Sequence, residues 1–227
     1  MQDAAPGLYG SYASYKGYVT PGVGPKEIRR FDELVWGPAQ CDAVMRFLEI
    51  GCGTGAFLAY LAAKGCTRFL GVDHDPAVEA VLPAAARGHF RCADVWRALE
   101  EAEPCDRIVA LDVLEHFTAD DAIRLLGLVR DRLTPGGRMV VKVPNASSPW
   151  GHQYQNGDLT HRTAFTPLSM RQAADAAGLV VVSVHAVRQG SRRRKITDAV
   201  VHGFLSWALL TPPEIWTANF VAVLSPR

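Results

Sequence analysis

A glycine loop and three acidic residues have the types and spacing to bind a nucleotide. In LEIGCGTGAFL, residues 48–58, Gly51, Gly53 and Gly55 follow a short apolar run and precede helix formers. A strand, small residues and then a helix leave backbone N–H groups open to an anion or a polar nucleotide. The spacing reads two ways. Gly51, Gly53 and Ala56 fit the G-x-G-x-x-G/A of a nicotinamide or flavin dinucleotide site, while Gly51, Gly53 and Gly55 fit the tighter G-x-G-x-G that wraps S-adenosylmethionine. Asp73 ends the next strand, at the distance where an acidic side chain meets a ribose diol, and serves either ligand. Glu49 discriminates: its carboxylate, just before Gly51, repels a diphosphate but suits the ammonium of an amino-acid moiety. Asp94, in RCADV, is placed to accept from an adenine amino group, and the loop has no Arg to pair a pyrophosphate.

A second set of residues can activate an acceptor. Neutral imidazole takes a proton from a hydroxyl near neutral pH, and His116 in LEHF and His161 in DLTHRTAFT are the candidates, with Asp158 to orient the latter. The stretch 144–165 is long, without regular periodicity, and dense in polar and aromatic groups. Loops of that length in a compact domain are commonly functional, so it is expected to wall the acceptor, with Asn145, His152 and Tyr154 as contacts. Asp112, His116, Asp158 and His161 can be grouped around a divalent metal, but no local ligand spacing supports this and none is expected. His89, His185 and His202 read as structural.

The elements that must position these groups alternate from residue 45 onward. Strands at MRFLEI, RFLGVD, HFRCAD, RIVALDV, RMVVKVP and LVVVSVHAV are separated by helical patterns, among them DPAVEAVLPAAA. Such alternation means parallel pairing with right-handed crossovers, hence an α/β doubly wound sheet. TANFVAVL supplies a last strand; antiparallel there, it would set the sheet apart from a dinucleotide dehydrogenase core. Residues 1–36 read as an N-terminal arm and helix, with Tyr9, Tyr12, Tyr15 and Tyr18 recurring in a candidate lid, and residues 37–227 as the domain. A helical insert at 191–213 opens with Arg192, Arg193, Arg194 and Lys195 and carries Ile196, Val200, Phe204, Trp207 and Leu210 near one stripe. It is expected to bury itself on the sheet edge or in a homodimer contact; residues 192–210 alternatively offer a basic amphipathic surface to an anionic membrane or to the phosphates of a nucleotide sugar or lipid-linked glycan.

The bounds are permissive. With 227 residues, 24 Lys plus Arg and 23 Asp plus Glu, the chain suits one α/β domain without a field favouring nucleic acid. Its five scattered cysteines lack a C-x-x-C pair, and neither a signal peptide nor a membrane span is evident, so a cytoplasmic protein is expected.

LEIGCGTG, GVDHDP, CADV, LDVLEHF and LTPGGRMVVKVPN, in this order and spacing, resemble the class I S-adenosylmethionine-dependent methyltransferases over about residues 45–187. That resemblance implies a mostly parallel seven-stranded sheet with helices on both faces, an antiparallel terminal strand, and S-adenosylmethionine as cofactor. It implies Glu49, Gly51, Cys52, Gly53 and Gly55 at the methionine end, Asp73 on the ribose and His74 flanking the adenine. Asp94 and Val95 are implied at the adenine edge, and Asp112 and Val113 beside the reactive methyl. The DLTH-x-x-x-FT run and the SMRQAADAAGL after it are similar to a subgroup that modifies small molecules and polysaccharides, implying O-methylation of a sugar or another hydroxylated metabolite. An N- or carboxyl-methyltransferase and a non-catalytic cofactor-binding regulator are the alternatives. The Asn-Pro-Pro-aromatic signature of base-amine methyltransferases is replaced by LDVL, and a nucleic-acid acceptor is not expected.

Overall fold

Apolar runs bounded by turn-forming residues become the strands of one sheet. The computed structural model describes residues 17–188 and 190–227; Tyr9, Tyr12 and Tyr15 of the aromatic arm lie outside them. The strands are β1 (Phe47–Ile50), β2 (Phe69–Asp73), β3 (Phe90–Cys92), β4 (Cys105–Leu111), β5 (Leu133–Pro144), β6 (Leu179–Ala186) and β7 (Asn219–Pro226). They lie in the order β3-β2-β1-β4-β5-β7-β6. The first five pair in parallel, and β7 runs antiparallel between β5 and β6. The chain works outward from β1 to β3, then returns to the other side of β1 as β4. This reversal opens a crevice at the carboxyl ends of β1 and β4, where ligands of doubly wound sheets bind.

The helices are α1 (Pro25–Phe31), α2 (Ala56–Ala63), α3 (Val95–Glu101), α4 (Ala119–Arg132), α5 (His152–Asn156), α6 (Pro167–Ala176) and α7 (Arg192–Ala208). Alternation along a strand sorts the two cores. Leu48 and Ile50 of β1 face a core that includes Leu99 of α3, Leu125 of α4 and Met170 of α6. Phe47 faces the opposite core, with Phe57 and Tyr60 of α2 and with Phe31, Leu34 and Val35. Glu49 shares the Phe47 parity, which directs its carboxyl under the glycine loop rather than toward α3.

Residues 25–36 are helical, α1 running on through a π-helical turn at Asp32–Trp36, and Phe31, Leu34 and Val35 are buried against α2. Three expectations change. DPAVEAVLPAAA is not an α-helix: it holds one 3-10 helix, Pro76–Val81, and a second 3-10 turn, Arg87–His89, follows it. Leu82 between them is extended (ψ 136°), as a residue before proline prefers, and here Pro83 follows. The stretch 144–165 is not wholly irregular, since it contains α5. Finally, α7 contributes no buried side chain, so it does not bury itself on the sheet edge as expected. No helix of the described residues is long and apolar enough to cross a membrane.

Candidate functional site

The crevice beyond β1 and β4 holds a cavity of about 360 Å³, with the glycine loop as its floor. Gly51 (φ +66°), Gly53 (φ +47°) and Gly55 (φ +78°) all take left-handed backbone, which glycine adopts without steric cost. At Gly51 a Cβ would stand 2.6 Å from Val113 Cγ2, so the loop and the turn after β4 approach as closely as only glycine permits. Gly53 donates its N–H to Asp73 Oδ2 (2.9 Å), while Asp73 Oδ1 accepts from Asp75 N (3.0 Å). The ribose candidate is thereby fixed at the end of β2. Asp94 caps α3 by accepting from Trp96 N (2.9 Å) and also lines the cavity.

The expected cofactor residues divide into two layers. Gly51, Gly53, Asp73, His74, Asp94, Val95, Asp112 and Val113 line the cavity. Glu49, Cys52 and Gly55 are buried behind it. Burial first, then the neighbouring Asp73, hold the Glu49 carboxyl well above the usual carboxylate range. Its Oε2 has no hydrogen-bond partner among the described residues. A buried acceptor of this kind costs stability until a donor or cation reaches it, and the ammonium of a methionine moiety is such a partner. Burial likewise drives the Cys52 thiol upward, so its side chain is a filler and not a nucleophile.

A second cavity, about 430 Å³, adjoins the first, and Asp112 and His116 line both. Asp112 is a non-glycine residue at φ +59°, a costly conformation that surrounding structure must enforce. Lys142, buried in β5, enforces it: its Nζ donates to Asp112 Oδ1 at 2.6 Å and also to Oδ2. His116 closes the turn Leu114–His116. The Glu115 carbonyl accepts from Arg162 N (2.7 Å) and Thr163 N (3.1 Å), and Thr163 Oγ1 donates to Phe117 O (2.7 Å). These bonds pin the DLTHRT loop to the turn, and the His116 and His161 rings meet edge to face, with centroids 4.7 Å apart.

Hydrogen bonds set the tautomers. The Thr160 hydroxyl gives its one proton to Asp158 Oδ1 (2.5 Å), so at His116 Nδ1 (2.9 Å) it can only accept. His161 Nδ1 faces the Gln155 carbonyl oxygen at 3.1 Å, another pure acceptor. In its neutral form each ring therefore carries hydrogen on Nδ1 and an electron pair on Nε2. Asp158 thus bears on His116 through Thr160, and its backbone carbonyl accepts from His161 N (3.2 Å).

Of the expected acceptor contacts, Tyr154 lines the second cavity, as do Asp158 and His161. Asn145 does not: it is fully buried, and its amide donates to the carbonyls of Ile215 (2.7 Å) and Thr217 (3.1 Å), bracing the start of β7. His152 also turns away, its Nε2 lying 3.2 Å from Ala146 O at an exposed site. Sequence reasoning passed over Lys142, Glu115 and Thr160. A lysine inside the apolar run MVVKVP was the readable signal, since a buried ammonium demands a partner.

A switch-point cavity floored by left-handed glycines and ringed by acidic strand ends, on a sheet with one reversed strand, defines the class of S-adenosylmethionine-dependent methyltransferases. Residues 25–184 match the family model described as a methyltransferase domain, and the chain belongs to that family. Among solved structures it is similar to a SAM-dependent methyltransferase from Archaeoglobus fulgidus, with 17% identity, TM-score 0.67, and 95% of this chain and 98% of that one covered. It is similar to the CcbJ methyltransferase from Streptomyces caelestis, with 18% identity, TM-score 0.65, and coverage of 96% and 98%. An O-methyltransferase from neocarzinostatin biosynthesis, solved with S-adenosylmethionine and 2-hydroxy-5-methyl naphthoic acid, gives 15% identity, TM-score 0.60, and coverage of 98% of this chain and 58% of that one. A comparison with curated proteins finds no matching sequence.

Proposed function

We propose that this methyltransferase methylates a hydroxyl on a small acceptor, a sugar or polysaccharide unit or another hydroxylated metabolite. The observation that carries the reading is the shared border of the two cavities, built from Asp112 and His116. S-adenosylmethionine, when bound, supplies an electrophilic methyl group on a sulfonium. Glu49 and the glycine loop would receive its amino-acid end, Asp73 its ribose, and Asp94 with Val95 its adenine. The chain must then align an acceptor oxygen and exclude water, work that is mostly positioning. A hydroxyl is a weak nucleophile, and loosening its proton is what the His116–His161 pair is placed to do. Asp158 and Thr160 hold the His116 tautomer, and the Gln155 carbonyl holds that of His161. Tyr154 would contribute to the acceptor wall. One similar enzyme, an O-methyltransferase, was solved in complex with a small hydroxyl-bearing molecule, 2-hydroxy-5-methyl naphthoic acid.

The test is a titration followed by turnover. Calorimetry should detect binding of S-adenosylmethionine and its demethylated product but not of NAD(P). His116→Ala and His161→Ala should each lower transfer to a hydroxyl acceptor by about a hundredfold or more. Full turnover in both variants would move the reading to an amine or carboxylate acceptor, which needs less from a base. Cofactor binding without transfer to any acceptor would favour a regulator.

We also propose that α7 rests on an anionic membrane surface. Phe204 and Trp207 are 60% and 81% exposed on an element opened by Arg192, Arg193 and Arg194, and Leu210, just past its end, is 98% exposed. A basic start beside a large exposed apolar stripe suits the interface of an anionic bilayer, where an acceptor carried on a lipid would also be found.

A further inference from the structure

Glu115, His116 and His161 each offer one ligand atom, and these atoms all lie within 4.8 Å of one another. All three residues line the acceptor cavity. Ligands about 2.1 Å from a divalent ion stand roughly 3 to 3.5 Å apart at neighbouring vertices. A contraction of roughly 1 to 2 Å at the widest pair would therefore bring all three onto one ion.

The surroundings of the two rings are those of metal ligands. A ligating histidine almost always donates its outer N–H to an oxygen, which fixes tautomer and orientation. His116 Nδ1 does so to Thr160 Oγ1, backed by Asp158, and His161 Nδ1 to the Gln155 carbonyl. That tautomer puts an electron pair on each Nε2. Glu115, whose side chain is fully buried beside them, supplies a carboxylate, and its backbone carbonyl ties the His161 loop to the His116 turn. The two aspartates grouped with these histidines from sequence have other work. Asp112 is held by Lys142, and Asp158 by Thr160.

We propose that Glu115, His116 and His161 form a divalent cation site facing the acceptor cavity. Two imidazoles and one carboxylate suit manganese, iron, cobalt, nickel or zinc ions better than magnesium or calcium. Three protein ligands leave coordination positions open toward the cavity. The role of the ion, though not its binding, rests on the O-methylation reading. An acceptor hydroxyl on an open position would lose its proton to water more readily, its oxygen remaining on the ion as the nucleophile. The imidazoles would then hold the ion rather than carry the proton.

Cobalt(II) is the probe, because its visible absorption reports nitrogen and oxygen ligation directly, without turnover. His161 lines the acceptor cavity but not the cofactor cavity, so His161→Ala should spare the cofactor site, and Glu115→Gln keeps the buried volume. The wild-type chain should take up one cobalt ion with a new absorption band. Both variants should bind it at least about ten-fold more weakly while retaining wild-type affinity for S-adenosylhomocysteine. Equal cobalt uptake by wild type and His161→Ala, or none by either, with S-adenosylhomocysteine binding intact, would overturn the site. Such a failure leaves imidazole as the proton acceptor and the O-methylation reading standing. Conversely, an amine acceptor would overturn that reading without altering the cobalt titration.

Discussion

Lys142 and Asp112 form an ion pair across the ends of β5 and β4, with the ammonium buried and the carboxylate side chain 48% exposed. This asymmetry decides what each partner's removal costs. Lys142→Met removes a buried charge and leaves Asp112 in reach of water, so stability should change little. Asp112→Asn leaves a buried ammonium facing a weaker acceptor and should cost about 2 kcal/mol. Urea denaturation of the two variants checks the order, and a larger loss in Lys142→Met would mean that the buried ammonium stabilises the fold by more than its desolvation costs. Both variants should weaken transfer, since Asp112 lines both cavities.

Glu49 sets a pH dependence whose sign follows from its surroundings. Burial and Asp73 raise its carboxyl above the ordinary value of 4.5 in the folded chain. Between those two values the unfolded chain binds fewer protons than the folded one. Stability of the cofactor-free protein therefore falls as pH rises above about 4.5 and levels off beyond the folded value. Glu49→Gln removes the titrating group, so its melting temperature should exceed that of wild type near about pH 7, with the gap closing toward pH 4.5. S-adenosylmethionine affinity should fall in the same variant, because the ammonium loses its counter-charge. Melting curves that stay parallel across this range would show that Glu49 is not the group responsible.

Much of this arrangement is legible in the sequence, for identifiable reasons. Strand positions followed from short apolar runs between glycines and prolines, and Asp73, Asp94 and Asp112 were readable because they sit where those runs stop. What stayed hidden was set by groups distant in sequence. Asn145 reads as a polar loop residue, yet it is buried because carbonyls of Ile215 and Thr217 need donors. Glu115 carries no local signal, yet it is buried where amides of the 158–165 loop fold over its carbonyl. Proximity of His116 to His161 depends on that same closure, which no local spacing encodes.

Gly51 and Gly53 share left-handed backbone but not surroundings. Alanine at Gly51 would add a contact of 2.6 Å to Val113, whereas at Gly53 the added carbon meets nothing within 4 Å. Both substitutions pay the left-handed conformational cost of about 1–2 kcal/mol. Gly51→Ala should be the less stable of the two, and its displacement of Val113 should also narrow the cofactor cavity. Thermal melts paired with S-adenosylhomocysteine titration separate the effects, and equal stability of the two variants would show that the approach to Val113 is not tight.

The α7 surface yields the last prediction. Lys195 lies 3.8 Å from Glu33 Oε2, which leaves Arg192, Arg193 and Arg194 as the cations best placed to meet lipid phosphates. Each basic side chain near an anionic bilayer contributes about 1 kcal/mol, so replacing all three with Ala should weaken binding to phosphatidylglycerol vesicles by about a hundredfold. Trp207→Phe should retain most of the binding, since a ring of similar character replaces the indole, whereas Trp207→Ser should not. Co-sedimentation at low and high salt measures the electrostatic share, which must shrink as salt rises. Equal sedimentation of wild type and the triple variant would remove the membrane reading. A dimer in sedimentation velocity that Trp207→Ser dissolves would instead assign the apolar face to a second copy of the chain.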